Sequence, residues 1–498
     1  MKRWIALLLA LCLLPLLSLA EDAPDAAPAP ADNLVVTKHT TTIDGKTIDY
    51  TATTGTVVMD TDMGQYEIFM TAYTLDGVED PSTRPITFAY NGGPGSASLW
   101  LHMGALGPER VKVDDNGKLL GLPTLSEPNE YSLLDVTDLV LIDPVGTGYS
   151  RVLGDTDASA FYSYSGDISS VSDFIRLYIT RYQRWASPKY LAGESYGTTR
   201  NAGVCDCLHS RFSIDVNGII MISTANDFGA LVQTPGNEMP YIHYIPSFAA
   251  AAWYHKKADE KYLAMTLEDV LEEAKAFASG EYLSALYLGN RLTAEQKDAV
   301  AEKMAGIIGM SKDDILELNL RVSMEDYCAG LLKDEGKMIG RYDARYTGPV
   351  LQGDIGSGEN DPSNLGIEPA FNSAFCDYIS RTLGFTADRH YEVLSGEVNG
   401  AWNFGTDNAA LTQEDQLRTC MSDNEMLRIW VICGYYDLAT PFYGAEWVYS
   451  HVFIDDNLRG NLTFSHFPSG HMFYLVKDAL KDFHAQAEAW YGATTAGK

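Results

Sequence analysis

Short apolar runs, each closed by glycine or proline, mark out the first half of the chain. Val35 to Thr42 and Lys46 to Thr53 flank Asp44-Gly45, a pair suited to a two-residue turn, and predict an antiparallel hairpin. Gln65 to Leu75 predicts a further strand. Pro85 to Tyr90, Leu139 to Ile142 and Lys189 to Ala192 read as short buried strands. They run into Asn91-Gly92-Gly93-Pro94-Gly95, Asp143-Pro144-Val145-Gly146-Thr147-Gly148 and Gly193-Glu194-Ser195-Tyr196-Gly197. Before the third, Ile168, Val171, Ile175, Tyr178, Ile179 and Tyr182 recur at helical spacing, so an amphipathic helix is expected from about Ile168 to Tyr182. Strands alternating with helices imply a mostly parallel sheet, which binds its ligands at the carboxyl ends of the strands. All three glycine-containing loops belong to that edge.

A helix is expected to continue from Ser195 to about Leu208, followed by a strand at Gly218 to Ser223. From about Thr234 to Gly400 the pattern turns helix-rich and polar, with helices near Leu267 to Phe277 and Ala294 to Ile307. Strand signals return at Leu427 to Cys433 and Leu462 to Phe467, before a closing helix from Met472 to Tyr491. One α/β core interrupted by a helical insertion explains that return better than two sequential domains. The expected divisions are a signal peptide at 1–20, a flexible leader at 21–33, core at 34–233, a helical cap at 234–404 and core again at 405–498. The signal peptide rests on Lys2 and Arg3, the apolar run Trp4 to Leu17, and small residues in Ser18-Leu19-Ala20, with cleavage near Ala20. That run is too short to span a bilayer comfortably, and no later stretch is long enough, so a secreted or periplasmic protein without a membrane span is expected. Glu21 to Asp32, rich in Ala, Pro and Asp, reads as a leader rather than core.

Composition narrows the function. The 498 residues are 46% hydrophobic and 21% charged, as in an ordinary globular protein. The formal net charge of −31 leaves no basic surplus to neutralise phosphates, which argues against a nucleic-acid partner. Cys205, Cys207, Cys328, Cys376, Cys420 and Cys433 follow the signal peptide, and export makes disulfides possible. Cys205 and Cys207 point to different sides of a helix and are not expected to pair. No Cys-x-x-Cys, His-Glu-x-x-His or Cys/His cluster is present, so neither a metal nor a cofactor is expected.

The third loop carries the strongest chemical signal. Gly-x-Ser-x-Gly between a strand and a helix holds a serine at the tip of a sharp turn. A serine hydroxyl needs a base, and the base needs a buried acid to hold its tautomer. On such a scaffold the chain order is serine, acid, histidine. Asp437, in Gly434-Tyr435-Tyr436-Asp437-Leu438-Ala439-Thr440-Pro441, and His471, after Pro468-Ser469-Gly470, follow in that order at strand ends. His102, His209, His243, His255 and His466 compete. His209 lies too far along the helix after the serine, and His466 lies within a strand. The Tyr196 backbone N–H is the expected first donor to an oxyanion, and the Asn91 to Gly95 loop the source of the second.

With these residues assembled, the chain resembles the serine carboxypeptidases, acid-active peptidases of α/β-hydrolase fold. The likeness rests on Asn91 to Ser96, Asp143 to Ser150, Gly193 to Gly197, the Asp437 segment and Ser469-Gly470-His471, in order over about 85 to 475. It implies an α/β-hydrolase fold with a central, mostly parallel sheet and an inserted helical cap. It also implies peptide substrates with a free C-terminus, cleaved through an acyl-enzyme. Ser195 takes the role of nucleophile, His471 of base and Asp437 of orienting acid; Gly93 and Tyr196 supply the oxyanion N–H groups. Asn91, Gly92 and Glu194 read the substrate's terminal carboxylate, to which a protonated Glu194 can donate a hydrogen bond. Two positions depart from the family. Its frequent glutamate before Leu-Gly-Pro is here Ala105, so the carboxyl pair is incomplete and a less acidic optimum is expected. Ser96 stands where many members have cysteine, so one familiar disulfide cannot form. The alternatives are an esterase or acyltransferase using the same triad, or a non-catalytic binding protein on this scaffold.

Overall fold

A ten-stranded sheet organises the chain in the computed structural model, which describes residues 30–350, 360–407 and 409–495. The signal peptide at 1–20 and most of the leader lie outside the described residues. Strands β1 (Asn33–Ile43), β2 (Lys46–Thr61) and β3 (Gly64–Leu75) form an antiparallel meander. Asp44 and Gly45 turn β1 into β2 with φ of 45° and 74°, the positive values a tight hairpin turn demands. The first strand begins at Asn33, the last residue of the expected leader. The Asp32 carboxylate anchors that point by accepting from the Val58 N–H at 2.8 Å and pairing with Arg181 at 2.7 Å.

The next strands are β4 (Ile86–Tyr90), β5 (Asp138–Ile142), β6 (Arg151–Val152), β7 (Lys189–Glu194), β8 (Gly218–Ile222), β9 (Arg428–Gly434) and β10 (Leu462–Phe467). The sheet order is β1-β2-β3-β5-β4-β7-β8-β9-β10, with the short β6 paired to β3. From β5 to β10 every pairing is parallel. Every residue of β4, β5, β7 and β8 is buried, as expected of parallel strands covered on both faces.

Helix α1 (Tyr164–Arg181) starts four residues before its expected limit, where the Ser163 hydroxyl accepts from the Gly166 N–H. It buries Ile168, Val171, Phe174, Ile175, Tyr178 and Ile179. Helix α2 (Tyr196–Phe212) leaves directly from the serine turn. Between β8 and β9 lie α3 (Met239–Tyr254), α4 (Leu267–Phe277) and α5 (Ala294–Ile308) among shorter helices. Their Phe248, Val270 and Met304 share one apolar cluster with Phe88 and Leu191 of the sheet. Within the same stretch, Lys337–Ile339 and Thr347–Pro349 pair antiparallel, with residues 340–346 as their connection. The closing helix, α6 (Lys477–Thr495), begins five residues later than the pattern indicated. Phe473–Leu475 forms a short 3-10 turn first, because the preceding chain is held in the site described below. Among the described residues no helix is long and apolar enough to cross a membrane. The six cysteines there are free thiols.

Candidate active site

Ser195 stands at the junction of β7 and α2 with φ 59° and ψ −128°, a conformation a non-glycine residue rarely adopts. Its neighbours are buried, but Ser195 itself is partly exposed. The turn closes only because its flanks lack side chains. A Cβ at Gly193 would overlap the Gly197 carbonyl oxygen, and one at Gly92 would overlap the Tyr196 and Gly197 nitrogens. The second overlap shows how closely the Asn91 to Gly95 loop approaches the serine turn. Gly93 is exposed with φ 99°, and neither its amide nor that of Tyr196 is used in the loop and turn hydrogen bonds. Residues of the insertion clamp this loop from outside. The Ser395 N–H donates to the Gly95 carbonyl at 2.8 Å, and Asn399 Nδ2 to the Pro94 carbonyl at 2.9 Å.

Asp437 and His471 follow β9 and β10 and meet directly, Nδ1 to Oδ2 at 2.7 Å. Asp437 is fully buried. Its Oδ1 accepts from the Ala439 and Thr440 N–H groups at 2.7 and 2.9 Å, and its Oδ2 from the Thr440 hydroxyl at 2.6 Å. The carboxylate is therefore held by four donors, one of them the imidazole. His471 is fixed at both ends of its own peptide unit. Its N–H donates to the Tyr342 carbonyl at 2.6 Å, and its carbonyl accepts from the Ser223 hydroxyl at 2.6 Å. Burial pulls its pKa down, but the charge and hydrogen bond of Asp437, with Glu194 adding, outweigh that and Arg341, leaving it raised. Among the described residues the Ser195 hydroxyl has no hydrogen-bond partner, His471 included.

Glu194 is buried beneath the serine turn, and Asn91 Nδ2 donates to its Oε1 at 3.1 Å. Asn91 is held in turn, its Oδ1 accepting from the Leu101 N–H at 3.0 Å. Burial raises the Glu194 pKa to about 7, against the pull of His471. The Tyr474 hydroxyl, from the 3-10 turn after His471, lies against the Glu194 carboxyl.

Several of these contacts carry no motif. Thr440 touches both members of the Asp437–His471 pair, its hydroxyl lying 3.2 Å from His471 Nδ1. Its place three residues after Asp437 is the one signal that could have marked it. Tyr342, whose ring lies 5.2 Å from that of His471, comes from the connection between Lys337–Ile339 and Thr347–Pro349, as does Arg341 beneath it. Tyr474 follows His471 by three residues without any spacing rule. The competing histidines are engaged elsewhere. His102 meets the Tyr73 hydroxyl at 2.6 Å, and burial depresses its pKa to about 3. His209 pairs with Asp215 at 2.7 Å, and His466 faces Glu446 at 3.1 Å. His243 and His255 contact the carbonyls of Ala230 and Ala344 at 2.9 and 2.7 Å. Asp135, His484 and Glu488 bring ligand-type atoms within 4.8 Å of one another, a grouping the sequence did not reveal. His484 there lies 3.2 Å from both Asp135 oxygens, and Lys46 reaches Glu488 at 3.8 Å.

Residues 48–205 match the family model described as serine carboxypeptidase. That span holds the glycine loop and the serine turn but not Asp437 or His471. Serine carboxypeptidase-like 16 of Arabidopsis thaliana is 27% identical over 165 residues, 31% of this chain and 37% of the relative. Serine carboxypeptidase S10 family member 1 of Dictyostelium discoideum is 30% identical over 219 residues, 43% of this chain and 47% of the relative. The chain thus aligns with less than half the length of these curated relatives. Among solved structures, the prohormone-processing carboxypeptidase Kex1 of Saccharomyces cerevisiae superposes with a TM-score of 0.56 at 17% identity, covering 88% of this chain and 92% of that one. This last likeness concerns the fold, which is that of the α/β-hydrolases. Over residues 48–205, which hold the glycine loop and the serine turn, the chain is thus similar to the serine carboxypeptidases.

Proposed function

We propose that the protein is an exported serine carboxypeptidase, which releases C-terminal residues from peptides through an acyl-enzyme on Ser195. The observation that carries the reading is the buried Asp437–His471 pair, at the same edge of the sheet as the strained serine turn. Ser195 Oγ attacks the scissile carbonyl carbon while its proton passes to His471 Nε2. Asp437 holds Nδ1–H and stabilises the imidazolium that forms. The C–N bond then breaks and the proton moves from Nε2 to the leaving amine. Water repeats the sequence on the ester and regenerates the serine. The Gly93 and Tyr196 N–H groups receive the oxyanion, each donor contributing about 3–4 kcal/mol to the transition state. Asn91, Gly92 and Glu194 read the terminal carboxylate of the substrate and so confine cleavage to the last peptide bond.

The test is mass spectrometry of a mixed peptide set after incubation with wild type and with Ser195→Ala. The expected result is a ladder of products shortened stepwise from the C-terminus, absent with Ser195→Ala. Internal cuts, or an unchanged ladder from the variant, would overturn the proposal.

A further inference from the structure

Glu194 Oε2 and the Tyr474 hydroxyl are buried against each other in the site and meet no other hydrogen-bond partner. Buried polar groups that meet only each other keep unused hydrogen-bonding capacity, which a ligand can take up. The other Glu194 oxygen is already taken by Asn91. The tyrosine ring is fully buried and packs directly over Gly104, where a Cβ would overlap it. Its hydroxyl lies against the Glu194 carboxyl, and the missing side chain at Gly104 makes room for the ring.

We infer that Tyr474 is a specificity-determining residue, whose hydroxyl joins Glu194 in holding the terminal carboxylate of the substrate. This inference rests on the carboxypeptidase reading. A carboxylate brings acceptors, so both protein atoms must donate. The Tyr474 phenol does so at any working pH, since burial and the adjacent Glu194 hold its proton on. Glu194 does so only while protonated. The groups facing Glu194 are His471, Tyr474, Asp437 and Asn91, with Tyr342 also within electrostatic reach. Asp437 favours the protonated form of Glu194, and His471, Tyr474 and Asn91 favour the ionised one. The site thus has one permanent donor and one gated by pH, where a pair of carboxyl groups would have two gated positions. Tyr474 compensates for the missing carboxyl at Ala105.

The experiment compares wild type with Tyr474→Phe in the full chain, on a blocked dipeptide with a free C-terminal carboxylate and on a blocked amino-acid ethyl ester that has none. The expected result is a fall of about tenfold or more in the peptide-to-ester ratio of kcat/KM, carried by the peptide KM. The alkaline decline of peptide turnover should also become steeper, because only the gated donor remains. An unchanged ratio would overturn the inference, as would an equal loss on both substrates, which marks a packing role. Failure of the parent reading looks different: wild type would then turn over the ester but not the peptide.

Discussion

At the residue scale, the proposed mechanism sets opposing demands on pH at His471 and Glu194. His471 must be neutral to accept the Ser195 proton, so turnover falls as pH drops through its raised pKa. Glu194 must be protonated to donate to a carboxylate, so peptide binding weakens as pH rises through about 7. The two limits leave a maximum of peptide kcat/KM close to neutrality, and Glu194→Gln, which keeps an N–H donor at every pH, should flatten the alkaline side. A pH profile of both proteins on a blocked dipeptide checks this; a wild-type optimum sharply below about pH 5 would contradict it. The positions of Asp437 and His471 were legible because glycine, strand end and chain order coincide there. Tyr474, Tyr342 and Thr440 were not, since they act through where a ring, a carbonyl or a hydroxyl arrives after folding. No local pattern encodes such an arrival.

At the scale of elements, the serine turn depends on backbone contact more than on side chains. The carbonyl of Gly197 fills the space beside Gly193, and a backbone atom inside a strand-to-helix junction cannot step aside. Gly193→Ala should therefore lower stability by about 3 kcal/mol, read as a shift in the urea midpoint, besides abolishing turnover. Loss of turnover with an unchanged midpoint would show that the junction relaxes. The strands of the sheet were readable because Asp44-Gly45 and the glycine loops mark their ends sharply. The closing helix was misplaced for the opposite reason. Met472 to Val476 is apolar enough to continue a helical pattern, but tertiary contacts hold its first turn as a 3-10 segment that aims Tyr474 inward.

At the scale of the molecule, one buried ion pair ties the sheet, two helices and the site together. Arg200 on α2 donates to Asp167 on α1 at 2.7 Å and to the Asn91 carbonyl at 2.6 Å. Its guanidinium also lies over the Tyr90 and Tyr196 rings, 5.1 and 5.5 Å from their centroids. Removing the cation strands a carboxylate whose pKa burial already raises and Arg200 pulls down. Arg200→Met should cost about 3–5 kcal/mol in urea unfolding, and adding Asp167→Leu should recover part of that loss. A single variant as stable as wild type would remove the pair from this role. The sequence offered no route to it, since residues 167 and 200 are polar positions on helices whose packing is set by their apolar neighbours.

The six free thiols among the described residues carry a consequence for how the site is assembled. The described part of the fold is closed by packing and ion pairs, so no sulfur–sulfur bond among these cysteines is needed to bring Ser195, Asp437 and His471 to one edge of the sheet.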